Sequence, residues 1–299
     1  MRAIAICAAK DECVYLLEWI CYQRAIGFDE VLVVTNDNED YTTDLLSRIS
    51  AVSPWLHFIE HSVQRGDIAP QVQAYRLAHR WLLEKSYEGI AGVFDVDEFL
   101  DTVDLPVKDF FEQKSPVDCI LVNWRVFGSS GHVTRSPGLV IERFLHCSES
   151  SFRHNIEFKS LFRVDQSLRR FNPHFPWYND YRSRKYKLID GEEVPAQYLM
   201  EKPYTKHVKI CHDGAQVNHY AIKSLEEFGW RSRRGRGAQT AKHAKSFPRH
   251  TPAYFKEMDR NEITCDFAWE AATKTRRIME ELYDAASLKS ILPAVDFGL

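Results

Sequence analysis

The sequence contains no run of about 18 apolar residues, so no segment reads as a membrane-spanning helix. It contains no Cys-x-x-Cys pair, and its seven cysteines (Cys7, Cys13, Cys21, Cys119, Cys147, Cys211 and Cys265) are odd in number. That pattern argues against a disulfide framework or a zinc site and for reduced, mostly buried thiols. Charge of neither sign dominates: 39 basic and 42 acidic residues leave a net −3. The strongly basic domain of a duplex nucleic-acid binder is missing, so no nucleic-acid partner is expected. There is no internal repeat and no low-complexity tract. At the N-terminus, Lys10, Asp11 and Glu12 interrupt the apolar run before a signal-peptide core could form, and no small-residue cleavage pattern follows. The expectation is a cytoplasmic protein.

What is present is ordinary globular material, 44% apolar and 27% charged over 299 residues. That length suits two domains or one large α/β domain with an appendage. Strand and helix patterns alternate through the first 125 residues. Ala3–Ala8, Val31–Val34, Leu56–Glu60, Ile90–Phe94 and Cys119–Trp124 read as strands. Val14, Leu17, Cys21 and Ala25 fall at helical spacing, and Gly27 ends that helix. Pro70 opens another, with Val72, Tyr75, Ala78 and Leu82 on one face. Such alternation predicts a mostly parallel sheet covered on both faces, with ligands at the carboxyl ends of its strands. Further on, Gly138–Phe144 and Lys159–Val164 read as strands. From Ala221 the chain reads as helical, broken near Phe247-Pro248. A last helix runs from about Asp266 to Ser287, with Trp269, Ala272, Ile278 and Leu282 at its apolar positions.

The sharpest local feature is Gly92-Val93-Phe94-Asp95-Val96-Asp97-Glu98-Phe99-Leu100. An apolar strand runs into three carboxylates within four residues. Strand alternation would point Asp95 and Asp97 the same way. Two such carboxylates repel unless neutralised, and a hard divalent cation with oxygen ligands does so well. Solvated turns also carry Asp-x-Asp. Phosphatases of the haloacid-dehalogenase type follow the second Asp with Thr or Val two residues later, usually on the first strand. Here Phe99 stands there, on the fourth, so that reading is disfavoured.

The resemblance is instead to GT-A-type glycosyltransferases. Ala8-Ala9-Lys10-Asp11-Glu12, Leu17-Glu18-Trp19-Ile20 and Gly27-Phe28-Asp29 resemble the opening of a family-2-like enzyme. Val34-Thr35-Asn36-Asp37 resembles its second-strand turn, and Phe94-Asp95-Val96-Asp97-Glu98-Phe99 its metal motif. The segments 124–132 (WRVFGSSGH) and 218–228 (NHYAIKSLEEF) resemble a bacterial subgroup, family-2-like and family-92-like. The resemblance spans roughly residues 3 to 236.

It implies an α/β GT-A fold, with a core over 1–220 and a helical extension over 221–299. It implies transfer of a sugar from a nucleoside-diphosphate sugar, UDP-sugar favoured, to a hydroxyl of a carbohydrate or glycolipid acceptor. By analogy the anomeric centre inverts. Surface polysaccharide or glycoconjugate synthesis is the expected setting. Ala8, Lys10, Glu12 and Asp37 would meet the nucleoside; Asp11 and Glu12 also suit the following helix N-terminus, and Asp37 a turn. Asp97 would bind Mn²⁺ or Mg²⁺ directly, with Asp95 at the ion or its water, and His219 as a further ligand. Arg233, Arg234 and Arg236 would contact the diphosphate. They belong to an acid-free basic stretch over 231–249 that equally suits a solvated helix face or the inner face of the plasma membrane. Gly128, Ser129, Ser130, His132 and Trp177 would line the sugar or acceptor. The catalytic base is unresolved: the Glu-Asp pair frequent in the family is missing, and Glu142, Glu149, Glu157, Asp165, Asp180 and His132 are the candidates. A nucleotidyltransferase and a non-catalytic carbohydrate- or nucleotide-binding module are the rival readings.

Overall fold

The computed structural model describes residues 1–64, 68–103, 105–234, 251–265, 269–293 and 297–298, without the side chains of 232–234 and 269. Its strands are β1 (Ala3–Ala9), β2 (Glu30–Asn36), β3 (Leu56–His61), β4 (Gly89–Val93), β5 (Glu98–Asp101), β6 (Cys119–Val126), β7 (His146–Cys147), β8 (Phe158–Val164), β9 (Leu168–Phe171), β10 (Pro176–Tyr178), β11 (Tyr186–Leu188), β12 (Gln216–His219) and β13 (Ile263–Thr264). The helices are α1 (Cys13–Ala25), α2 (Thr42–Val52), α3 (Pro70–Glu84), α4 (Val107–Gln113), α5 (Val140–Arg143), α6 (Ala196–Leu199), α7 (Leu225–Arg234), α8 (Pro252–Met258) and α9 (Trp269–Ala285).

β1 is buried almost throughout because it is central, and its side chains alternate between two cores. Ala3, Ala5, Cys7 and Ala9 join the core with α1, α2 and α9, whereas Ile4 and Ile6 join the one with α3 and the β9–β11 region. α1 stops at Gly27, whose φ of +100° carries the chain away while a Cβ there would press Pro106 at 3.3 Å. α3 starts with Pro70 at its first turn; Tyr75, Ala78 and Leu82 are buried, while Val72 stays exposed.

Among the described residues the main sheet has the order β3-β2-β1-β4-β8-β6-β12-β5, with β11 also on β6. β1 to β4 are mutually parallel where they pair, and β12 and β11 run parallel to β6. β8 is antiparallel to both β4 and β6, and β5 is antiparallel to β12. This mostly parallel sheet flanked by helices is the α/β, GT-A-like arrangement expected. Only residues 94–97 join β4 to β5, which lies four strands away in the order. Five chain steps reach about 17 Å. Four strand spacings need about 19 Å if flat. The sheet therefore curls, and its carboxyl edge closes around that short link.

Two local expectations change. Gly138–Phe144 is not a strand: Val140–Arg143 forms a helical turn. The buried Glu18 carboxylate accepts the Val140 and Ile141 N–H groups at 2.8 and 3.1 Å, and Glu142 accepts the Leu139 N–H at 3.3 Å. Side chains thus satisfy donors that a ladder would have used. The region after Ala221 is not purely helical either, since β13 pairs with β7. The expected break near Phe247-Pro248 lies outside the described residues. α9 packs Ala272, Met279, Leu282 and Tyr283 into the core that holds Trp19 and Ile20, with Ile278 against it. No described helix is long and apolar enough to cross a membrane.

Candidate functional site

β4 stops at Val93, and the Glu98 N–H closes a turn onto the Asp95 carbonyl at 3.0 Å. Strand alternation therefore does not govern Asp95 and Asp97, and their carboxylates reach different partners. β8 runs opposite to β4 and β6, which brings its first residues to their carboxyl edge. Lys159 there sits 3.0 Å from Asp95 and 2.8 Å from Glu98. Gln71 of α3 donates to the other Asp95 oxygen at 3.1 Å, and Glu98 accepts the Asp95 N–H at 2.7 Å. Lys159 and Glu98 are fully buried, while the Asp95 side chain is 34% exposed. Burial raises the Glu98 carboxyl and Lys159 opposes it; the two carboxylates in turn hold Lys159 charged despite its burial.

On the other side of the turn, His219 ends β12, opposite Glu98 of β5 and Val126 of β6. Its Nε2 lies 3.7 Å from the Asp97 carboxylate, and its ring packs on Trp124 at 4.0 Å. Arg231 of α7 donates to the same Asp97 oxygen at 2.6 Å and to the Ala221 carbonyl at 2.6 Å. Burial pushes the Asp97 carboxyl up, but Arg231 and His219 outweigh it and hold it well below the usual range. Among the described residues no group of three or more His, Cys, Asp or Glu is arranged around a metal position. The oxygen and imidazole donors of Asp97 and His219 nevertheless converge near the ~3 Å spacing of two ligands held at about 2.1 Å by one ion. Mg²⁺ usually completes its shell with water and substrate phosphate, so a two-donor protein site suits it or Mn²⁺, provided Arg231 withdraws.

The loops after β1 and β2 are stitched together. Asn38 accepts the Asp11 N–H at 3.0 Å, Thr42 the Glu12 N–H at 2.9 Å, and Asp11 the Glu39 N–H at 2.6 Å. Ala8, Lys10 and Glu12 are each part-exposed at this edge. Asp37 accepts the Val63 N–H at 3.0 Å, which lowers its carboxyl and anchors the start of the loop after β3. Arg233 and Arg234 lie on the α7 backbone with side chains outside the described residues, and 235–249, Arg236 included, lie outside them entirely.

The loop after β6 is clamped from behind. Asp259 accepts the Ser129 N–H at 2.7 Å, Asn261 the Ser130 N–H at 2.8 Å, and a Cβ on Gly128 would stand 2.3 Å from the Arg260 carbonyl oxygen. The Ser129 and Ser130 hydroxyls accept the Gly131 and His146 N–H groups, and His132 Nε2 meets the Arg143 carbonyl at 3.0 Å. Trp177 is half-buried under the Arg170 guanidinium, 4.5 Å from its ring.

The candidate bases divide by edge. Arg184 binds Asp165 and Asp180 and also reaches Asp118 at 3.2 Å, just before β6; these acids lie at the amino edge, away from the acidic turn. Glu142 is ion-paired with Arg276. Glu149, exposed, and Glu157 lie at the carboxyl edge. The Glu157 carbonyl accepts the Trp124 N–H at 2.8 Å, and its carboxylate accepts the Tyr204 hydroxyl at 2.7 Å. That hydroxyl is also 3.0 Å from His174, whose imidazole is lowered to about 4 by burial and by the nearby Lys159 charge.

Sequence reasoning missed Lys159 and Gln71. The signal for Lys159 was a lone ammonium within the apolar strand FKSLFRV, a residue that burial tolerates only beside a counter-charge. Gln71 carried no comparable signal.

No family model matches the chain, and no curated protein matches it. Among solved structures, S. aureus TarS 1-349 aligns with 55% of this chain and 47% of its own at 14% identity and a TM-score of 0.32. HddC from Yersinia pseudotuberculosis aligns with 63% of this chain and 89% of its own at 13% identity and a TM-score of 0.35. The alignment thus spans about half the TarS chain.

Proposed function

We propose that the protein is a metal-dependent glycosyltransferase that moves a sugar from a nucleoside-diphosphate sugar, UDP-sugar favoured, to a hydroxyl of a carbohydrate or glycolipid acceptor. The observation that carries this reading is the convergence of Asp97, His219 and Arg231 at the carboxyl edge of the curled sheet, where α/β folds bind ligands. Asp97 and His219 would hold Mn²⁺ or Mg²⁺, which supplies Lewis-acid stabilisation of the departing diphosphate. Asp95, part-exposed, faces the ribose or a bound water. Arg231, released from Asp97, meets diphosphate oxygens with Arg233, Arg234 and Arg236. Ala8, Lys10, Glu12 and Asp37 surround the nucleoside, and the Gly128–His132 loop and Trp177 border the acceptor. Glu157, oriented by Tyr204, takes the proton of the acceptor hydroxyl, with inversion at the anomeric carbon.

The test is thermal unfolding with Mn²⁺ and a panel of nucleoside diphosphates, followed by assay of nucleoside-diphosphate release from the stabilising sugar donor. Metal-dependent stabilisation and sugar transfer, both lost in Asp97→Ala, are expected. Pyrophosphate as the product would make it a nucleotidyltransferase. Binding without turnover for every donor and acceptor would make it a binding module.

A further inference from the structure

Near the end of β6, Arg125 is only 7% exposed, yet among the described residues no carboxylate pairs with its guanidinium. Lys159 and Arg143, buried likewise, each hold carboxylates. A buried cation is costly without a counter-charge. The Arg125 partners are uncharged acceptors: Nε donates to the Cys147 sulfur at 3.3 Å, and Nη1 to the Ser150 hydroxyl oxygen at 2.6 Å and to His212 Nδ1 at 3.2 Å. His212 Nε2 lies 2.8 Å from the Trp124 carbonyl, which only accepts, so Nε2 carries the ring proton and Nδ1 the lone pair. Burial and then Arg125 lower the His212 imidazole, which keeps the ring neutral.

Three of the five guanidinium hydrogens are thus used, and both on Nη2 lack a partner among the described residues. Nη2 is not among the described polar atoms sealed from solvent, so a solute reaches it. Ser150, exposed, accepts from Nη1, and its own hydrogen has no acceptor among the described residues. Asn218 stands in register with Arg125 across β12 and β6 and so shares its face of the sheet. Its Nδ2 is a buried donor without a partner. This face therefore carries donors and a positive charge in excess of its acceptors.

We propose that Arg125 and Ser150 form a binding site for a phosphate group. Its oxygens accept the two Nη2 hydrogens and the Ser150 hydroxyl, and its charge supplies the missing counter-ion. A planar carboxylate needs two parallel N–H groups, but Cys147, Ser150 and His212 already occupy Nε and Nη1; a tetrahedral phosphate spreads its oxygens to reach the rest. Asp213 and Glu262 act on His212 and Cys147 only through space. Cys147 alone among the acceptors can become an anion, and its thiolate would sit at Nε and leave Nη2 open. The site is distinct from the Asp97–His219–Arg231 cluster: Trp124, which packs on His219, precedes Arg125 on β6, and consecutive strand residues face opposite ways.

The full chain, kept metal-free with EDTA, is titrated with inorganic phosphate and with methyl phosphate, followed by thermal unfolding and by NMR of the His212 ring. The expected result is a saturable rise in unfolding temperature and an upward shift of the His212 titration, because phosphate offsets the Arg125 charge. Methyl phosphate binding too makes the ligand a phosphate monoester; inorganic phosphate alone makes it the free ion. Arg125→Gln should weaken binding about tenfold or more. Ser150→Asp, at an exposed position, sets a carboxylate against the guanidinium. It should raise the unfolding temperature without phosphate and abolish the response, which keeps the test informative if Arg125→Gln does not fold. Cys147→Ser should still bind phosphate. No saturable response, a response that survives in Arg125→Gln or Ser150→Asp, or one lost in Cys147→Ser would overturn the proposal.

Discussion

The two sides of the acidic turn neutralise their carboxylates differently. On one side Lys159, with no exposed surface, holds Asp95 and Glu98 together from the start of an interior strand. On the other, Arg231 reaches Asp97 from α7, with its side chain 34% exposed and His219 alongside. The first cation sits in the sheet itself; it cannot leave without stranding charge in the core. The second is carried by a helix outside the sheet, and under the proposed function it yields its carboxylate to an ion or a phosphate. The same local sequence thus serves as a structural lock on one side and, under the proposed function, as a ligand-facing site on the other.

The largest effect should come from breaking the lock. Lys159→Met leaves Glu98 and Asp95 without their cation, and removal of one partner of a buried pair costs about 3–5 kcal/mol. Urea denaturation measures this, and Lys159→Met with Glu98→Gln should recover much of the loss. The deficit of the single variant should shrink on acidification, because a protonated Glu98 needs no cation. A deficit independent of pH, unrelieved by the second substitution, would show that Lys159 matters for packing alone.

A third buried carboxylate sharpens the contrast. Glu18 faces backbone N–H groups rather than an ammonium, and burial raises it to about 7. A carboxyl raised on folding stabilises the fold fully below its unfolded value near 4.5, and that contribution disappears as pH rises through about 7. The shift corresponds to roughly 3 kcal/mol across that window. Glu18→Gln should flatten the stability–pH curve there; an unchanged slope would mean that Glu18 ionises freely in the folded protein.

Breaking the open side should act on ligands. Nucleotide and Mn²⁺ at about 100 times the dissociation constant add roughly 2.7 kcal/mol of stability. Asp97→Ala should abolish that increment, and His219→Ala should remove the preference for Mn²⁺. The smallest effect is expected for Asp180→Asn, at the amino edge and 48% exposed beside Arg184. An exposed pair contributes about 0–1 kcal/mol, and transfer should be unchanged. Transfer lost in Asp180→Asn would move the chemistry to the other edge.

The alternating pattern of the first 125 residues was legible because buried parallel strands and amphipathic helices have distinct periods. Ala3–Ala8, Val31–Val34 and Pro70 all fall where the pattern puts them. β5 was not legible, because Glu98–Asp101 is short and begins inside the acidic turn. Gly138–Phe144 misled because its apolar residues suit a strand, while the deciding hydrogen bonds come from Glu18, remote in sequence.

By itself, the sequence determined the fold class and the position of the acidic turn, since both depend on residues within one element's length. Only the tertiary structure decided which cation meets which carboxylate. Lys159 reaches Asp95 because β8 runs antiparallel between β4 and β6, and His219 reaches Asp97 because β12 lies between β6 and β5. Such pairings depend on strand order and direction, and no local period in the chain records them.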